Sequence, residues 1–199
     1  MQQTDHNDKT AADTREYRVI IAGFGGQGVL TLGRLLCIGA MAEGRQVTYL
    51  PAYGTEVRGG TANCQVVIGD GTIYSPLVEQ ADGLIVLNQL SYERFAPRLK
   101  SGGLIVVNSS GVDVDEVERP AGARQVCVPA AERAAELGDV RVGNVLMLGA
   151  FLQVSSLVRT ESCRDALAEV FTDRKAELLE LNRKALKEGG HLAAEAQGV

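Results

Sequence analysis

Gly23, Gly25 and Gly28 spell G-x-G-x-x-G at the end of an apolar run and the start of a helical one. Backbone N–H groups at a helix start, with no Cβ in the way, form an anion site. The chemistry such a loop serves is the holding of a phosphate-bearing or carboxylate-bearing ligand. Gln27 stands inside the loop, next to Gly26. Its amide donates and accepts at once, so it can orient a ligand, bridge to another loop, or simply open the helix. The dinucleotide version of the motif also asks for an acid about 20 residues on, at the end of the second strand. That place holds Thr48, Tyr49, Leu50 and Pro51, and Arg45 precedes the strand. NAD(P) therefore lacks both its ribose acid and a 2′-phosphate arginine. No Lys-Ser/Thr follows the loop, which excludes a Walker A site. A ligand-free tight turn and an anion-ligand site both stay open.

A second loop, Tyr53–Asn63 (YGTEVRGGTAN), gathers a phenol, a carboxylate and a guanidinium around Gly59 and Gly60. Arg58 can clamp a carboxylate or phosphate in a bidentate way. Glu56 can act as a base, but two residues from Arg58 an ion pair is the favoured reading. Cys64 opens an apolar strand and reads as a core thiol, because no His stands near to activate it. The two histidines, His6 and His191, fall in the expected tails and carry no catalytic or metal expectation. Cys37, Cys64, Cys127 and Cys163 are widely spaced, with no C-x-x-C, so neither an iron–sulfur cluster nor a structural zinc is expected within this chain.

The elements that must position these loops follow from periodicity. Tyr17–Ala22 is a buried strand, Val29–Ala42 an apolar helix and Gln46–Leu50 a strand, which together predict a βαβ crossover with a parallel pair. Thr61–Ile68 is a strand that turns at Gly69-Asp70-Gly71 and returns over Thr72–Ser75 as a β-hairpin. Gly83–Leu87 and Gly103–Val107 are buried strands with a helix around Ser91–Leu99 between them. Arg124–Val128 is a strand and Ala130–Leu137 a helix. Gly143–Val158 is an uncharged apolar helix, read as core or as a partner interface, and too short for a bilayer. Glu161–Phe171 and Asp173–Glu188 are amphipathic helices. The order predicts a three-layer α/β domain with a mainly parallel sheet, a β-hairpin insertion and C-terminal helices. In an open parallel sheet, loops leaving the carboxyl ends of strands surround the ligand crevice, so both glycine loops are expected there.

Composition agrees with a soluble globular chain: 199 residues, 45% hydrophobic and 23% charged. The 23 glycines exceed average usage of about 7%, and twelve lie between Gly23 and Gly71, which points to local close backbone approach rather than general looseness. The formal net charge of −5 and the lack of a basic run argue against nucleic acid. Residues 1–16 are polar, with no apolar targeting segment, and are expected to be a disordered extension. No membrane partner and a cytoplasmic location are the expectations.

GFGGQGVLTLGRLL, PAYGTEVRGGTANCQVVI and YSPLVEQADGLIVLN together resemble the γ subunit, or γ domain, of the 2-oxoacid:ferredoxin oxidoreductases. AAERAAELGDVRVGNVLMLGA and a closing helix with Asn182 fit the same layout, and the resemblance runs over roughly 17–190. The form of the second loop is closest to the branches acting on 2-oxoglutarate or branched-chain 2-oxoacids. Thr55, where those branches suggest Pro, and the polar extension are departures. The resemblance implies a single γ-type domain over 17–190, with a flexible tail at 191–199. It implies a part of an enzyme that oxidatively decarboxylates a 2-oxoacid to acyl-CoA and CO2 and passes electrons to ferredoxin. Thiamine diphosphate, Mg and 4Fe-4S clusters are implied on partner α, β and ferredoxin-like δ subunits. This chain is associated with the CoA side. The cofactor-binding residues so implied are Gly23, Gly25, Gly26, Gln27 and Gly28, then Tyr53, Glu56, Arg58, Gly59, Gly60 and Asn144. None is a proton-transfer residue. A free-standing NAD(P)- or FAD-binding module, or a scaffold without ligand, is the alternative.

Overall fold

The computed structural model describes residues 15–53, 61–116, 118–171 and 176–197. Its order is β1 (Glu16–Phe24), α1 (Val29–Ala42), β2 (Gln46–Tyr53), β3 (Thr61–Gly69), β4 (Ala81–Val86), α2 (Gln89–Phe95), β5 (Leu99–Asn108), β6 (Arg124–Val128), α3 (Ala130–Leu137), α4 (Gly143–Ser155), α5 (Thr160–Val170) and α6 (Ala176–Ala196).

Six strands form one sheet in the order β2-β3-β1-β4-β5-β6. β1, β4, β5 and β6 run parallel to one another, while β3 lies antiparallel between β1 and β2. Alternate residues of each strand feed opposite faces. Val19 and Ile21 of β1 join Leu32, Leu36, Leu146 and Leu186 beneath the helices α1, α3, α4, α5 and α6. Ile20 and Ala22 join Tyr92 and Phe95 of α2 on the other face. The expected α/β fold class stands.

Three expectations change in detail. β1 and β2 are not a bonded pair, because β3 folds back between them, with Phe24 opposite Thr61 and Tyr53 opposite Ala62. The hairpin is therefore β2–β3. Thr72–Ser75 is not a strand. The chain beyond the turn is held instead by Val78 N donating to Gln65 Oε1 at 2.6 Å. The last helix continues past Glu188 to Ala196, into the stretch expected as tail. Gly189 directly follows the predicted end of that helix. It is the point where α6 crosses α4: a Cβ there would lie 1.9 Å from the Leu146 carbonyl oxygen, and one on Gly149 would lie 2.0 Å from that of Leu186. The two helix backbones touch.

α4 is buried on nearly every side, from Val145 to Leu152, so its apolar character is spent on the core. Cys37, Cys64 and Cys163 are buried in the same layer. Burial pushes all three thiols up to about 12, so thiolate is scarce at neutral pH. Iodoacetamide on the folded chain should modify Cys127, which is only partly buried, and spare the other three. Peptide mass spectrometry reads this directly, and native labelling of Cys64 or Cys163 would contradict the packing.

Candidate functional site

The helix after β1 packs on one face of the sheet and the helix after β4 on the other. The C-terminal ends of these neighbouring strands are thus a switch point, where open α/β sheets bind ligands. A cavity of about 480 Å³ opens there, on the α1 side. It is lined by Gly26, Gln27 and Gly28, by the starts of α3 and α4, and by Asn108, Arg141, Phe171, Leu178 and Asn182.

The loop after β1 is held by Gln27. Its Oε1 accepts from Phe24 N at 2.7 Å and from Asn88 Nδ2 at 3.0 Å. Gln27 is therefore a brace between the first and fourth strands. Gly23 leaves room for it, since a Cβ there would meet Gln27 Oε1 at 2.8 Å. Asn88 also caps α2 through Oδ1, accepting from Ser91 N at 2.9 Å. Asn108, at the end of β5, repeats the device. It donates to the Leu87 carbonyl at 3.2 Å and accepts from Ala130 N, at the start of α3, at 3.2 Å. The ends of β1, β4 and β5 and the start of α3 are in this way fastened by side-chain amides.

Three helix starts reach the cavity, but they differ in what they offer. α1 begins at Gly28 with no side-chain cap and no acid in its first turn, so its first N–H groups and the positive end of its dipole are open to a ligand. At α3, Ala130 N and Ala131 N are already taken by Asn108 Oδ1 and Ser110 Oγ. α4 follows a 3-10 turn, Val140–Val142, capped by Asp139, which accepts from Arg141 N at 2.9 Å. These two add field rather than free donors. Arg141 adds a cation at the rim, its guanidinium steadied by Asp139 at 2.9 Å. Hydrogen bonding to Arg141 holds the Asp139 carboxyl down to about 2, so both charges persist at neutral pH. Asn144 accepts from Val145 N through Oδ1 at 2.8 Å, which leaves Nδ2 as its free donor. That Nδ2 lies where a Cβ on Gly28 would stand, 1.9 Å away, and Gly28 has φ +78°.

Of the residues expected from sequence, Gly26, Gln27, Gly28 and Asn144 meet at the cavity, whereas Gly23 and Gly25 do not line it. Tyr53 ends β2 at the same end of the sheet as Gly23 and Phe24. Glu56, Arg58, Gly59 and Gly60 lie outside the described residues. Asn88, Asn108 and Arg141 were missed. The first two had a visible signal: GLIVLN and GLIVVN are near-repeats, each a buried strand ending in Asn. The dinucleotide alternative loses its geometry as well as its acid, because β3 stands where the second strand of such a site would lie. Among the described residues, no three His, Cys, Asp or Glu side chains gather as metal ligands. No described helix is long and apolar enough to cross a membrane.

The family model for pyruvate ferredoxin/flavodoxin oxidoreductase matches residues 18–192. The chain belongs to that family. Within this oxidoreductase family, ketoisovalerate oxidoreductase subunit VorA of Methanothermobacter marburgensis is 40% identical over 180 residues, covering 90% of this chain and 37% of VorA. The γ subunit of a keto/oxoacid ferredoxin oxidoreductase from Geobacter sulfurreducens superposes with TM-score 0.79 at 28% identity, covering 92% of this chain and 98% of that one. A 2-oxoglutarate:ferredoxin oxidoreductase from Magnetococcus marinus, solved with 2-oxoglutarate, coenzyme A and succinyl-CoA bound, shares the fold. Its TM-score is 0.83 at 24% identity, over 91% of this chain and 31% of that one. The chain thus spans about a third of some relatives and nearly all of a separate γ subunit, and the γ resemblance read from the glycine motifs holds.

Proposed function

We propose that the chain serves as the γ unit of a CoA-acylating 2-oxoacid:ferredoxin oxidoreductase and shapes the CoA side of its site. The observation that carries this reading is the cavity at the switch point, with the uncapped start of α1, Asn144 Nδ2 and Arg141 on its walls. Open N–H donors, a helix dipole and a guanidinium suit the phosphates of CoA. At about 480 Å³ the cavity falls within the usual range of small-ligand sites, about 300–1,000 Å³. The Magnetococcus relative of the same fold was solved with coenzyme A, which supports the ligand class.

The substrate is a 2-oxoacid, either 2-oxoglutarate or a branched-chain acid; VorA is named for ketoisovalerate, and the Magnetococcus enzyme for 2-oxoglutarate. Thiamine diphosphate with Mg on the α and β subunits supplies decarboxylation when bound, and 4Fe-4S clusters on β and on a ferredoxin-like δ subunit carry electrons to ferredoxin or another acceptor. The part of this chain is to bind and orient. α1 and Asn144 receive the anion, Arg141 balances its charge at the rim, and the amide braces keep the loops in register.

Co-expression with the reading frames beside its gene, with a tag on this chain alone, tests the reading. Thiamine-diphosphate subunits should copurify, and the complex should reduce ferredoxin in a CoA-dependent way with one of the two oxoacid classes. Recovery of the chain alone, with no such subunits encoded nearby, would overturn it.

A further inference from the structure

We infer that Asn182 reads an N–H donor on the ligand, and so sets which part of the ligand enters the α6 side of the cavity. The inference rests on the reading of the cavity as the CoA side. Asn182 lies on α6 and lines the cavity, yet it is only 3% exposed. Its Nδ2 donates to the Leu178 carbonyl, one turn back on the same helix, at 2.7 Å. A carbonyl can only accept, so this bond fixes which end of the amide is nitrogen. Oδ1 is then the end left over. No donor among the described residues reaches it.

The opposite wall carries the complementary amide. Asn144 has its Oδ1 occupied by Val145 N and keeps a free Nδ2 beside Gly28. The cavity therefore presents a donor where α1 and Arg141 favour an anion, and an acceptor where Leu178 and Phe171 make the wall apolar. A ligand that satisfies both ends has an anionic group joined to an apolar or flat portion bearing an N–H. In CoA that N–H belongs either to the adenine amine or to a pantetheine amide. A buried acceptor left unmatched costs affinity, so this side discriminates against ligands that lack the N–H.

The test uses the assembled complex and direct binding, by calorimetry with CoA and with 1,N6-etheno-CoA, whose adenine amine is blocked. Asn182→Leu removes the acceptor and the bond to Leu178. Asn182→Thr takes the acceptor away from the Oδ1 position, because its shorter side chain keeps the single hydroxyl back against the carbonyl one turn earlier, where it can still donate. Both variants should weaken CoA by about 3- to 10-fold, the size of one neutral hydrogen bond. If the adenine amine is the donor, the wild type prefers CoA over the etheno analogue and both variants lose that preference. If a pantetheine amide is the donor, the two ligands weaken together. The inference is overturned if both variants bind CoA within twofold of wild type, or if only Asn182→Leu weakens it, since the bond to Leu178 would then be the whole effect. Gly28→Ala separates the two levels. If it weakens CoA while the Asn182 variants do not, only the role of Asn182 fails. If none of the three changes CoA binding, the CoA reading of the cavity fails with it.

Discussion

Gly149→Ala should be among the most damaging single-methyl changes in this chain. A Cβ at that position would stand 2.0 Å from the Leu186 carbonyl oxygen and 2.9 Å from its carbon. Both are backbone atoms of α6, so no side chain can swing aside. α4 and α6 must separate along their whole contact. Alanine normally gains about 1 kcal/mol over glycine inside a helix. Overpacking of a tight core costs about 1–3 kcal/mol, occasionally more, and a backbone clash belongs at the upper end. A loss near 3 kcal/mol corresponds to a fall in Tm of about 6–12 °C in a chain of this size. Gly190→Ala is the internal control. Its Cβ would meet nothing closer than Gln153 Oε1 at 3.8 Å, so helix propensity should leave the Tm unchanged or slightly raised. Thermal unfolding of the two variants by circular dichroism checks the contrast; equal behaviour would mean that the helices do not cross at these glycines. The change should also disturb the cavity, because Asn144 and Asn182 ride on these two helices.

Gly28→Ala should damage the site more than the fold. Gly28 has φ +78° and Gly26 has φ +96°, so alanine pays left-handed strain of about 1–2 kcal/mol at either position. They differ in surroundings: a Cβ on Gly26 meets nothing within 4 Å, whereas one on Gly28 would overlap Asn144 Nδ2 at 1.9 Å. Only the second change pushes the donor amide away from the start of α1. Gly28→Ala should therefore raise the CoA Kd of the assembled complex about tenfold or more, equivalent to about 1.4 kcal/mol. The oxoacid KM should not move, and Gly26→Ala should have a clearly smaller effect on CoA. A parallel rise in oxoacid KM, or equal effects from the two glycines, would count against a positioning role for Gly28 and Asn144.

Much of the fold could be read from residue patterns, because hydrophobic runs are local. Val29–Ala42, Arg124–Val128 and Ala130–Leu137 have the boundaries the periodicity predicts. Strand order is not local. Nothing in Thr61–Ile68 says that it inserts between its two predecessors; that depends on which edge of β1 is free once α1 has crossed. The end of α6 was obscured for a different reason. The predicted helix ends at Glu188, just before Gly189, and only the approach of Leu146 reveals why a glycine belongs mid-helix there. At the site, the glycine loop and Asn144 were legible as motif. Asn182 was noticed only as part of a layout, since its meaning depends on a bond back to Leu178. Arg141 carried no pattern of its own.

The fastening of the cavity by Gln27, Asn88 and Asn108 also bears on how the site answers its surroundings. Carboxamides neither gain nor lose a proton across the ordinary pH range, and their bonds, unlike ion pairs, are hardly weakened by added electrolyte. Salt can screen the pull of Arg141 on an anion, and acidification can change the charge of the ligand itself, without loosening the loops that define the site's shape. The architecture and the electrostatics of this pocket are separable: one is a neutral frame, the other a charge set upon it.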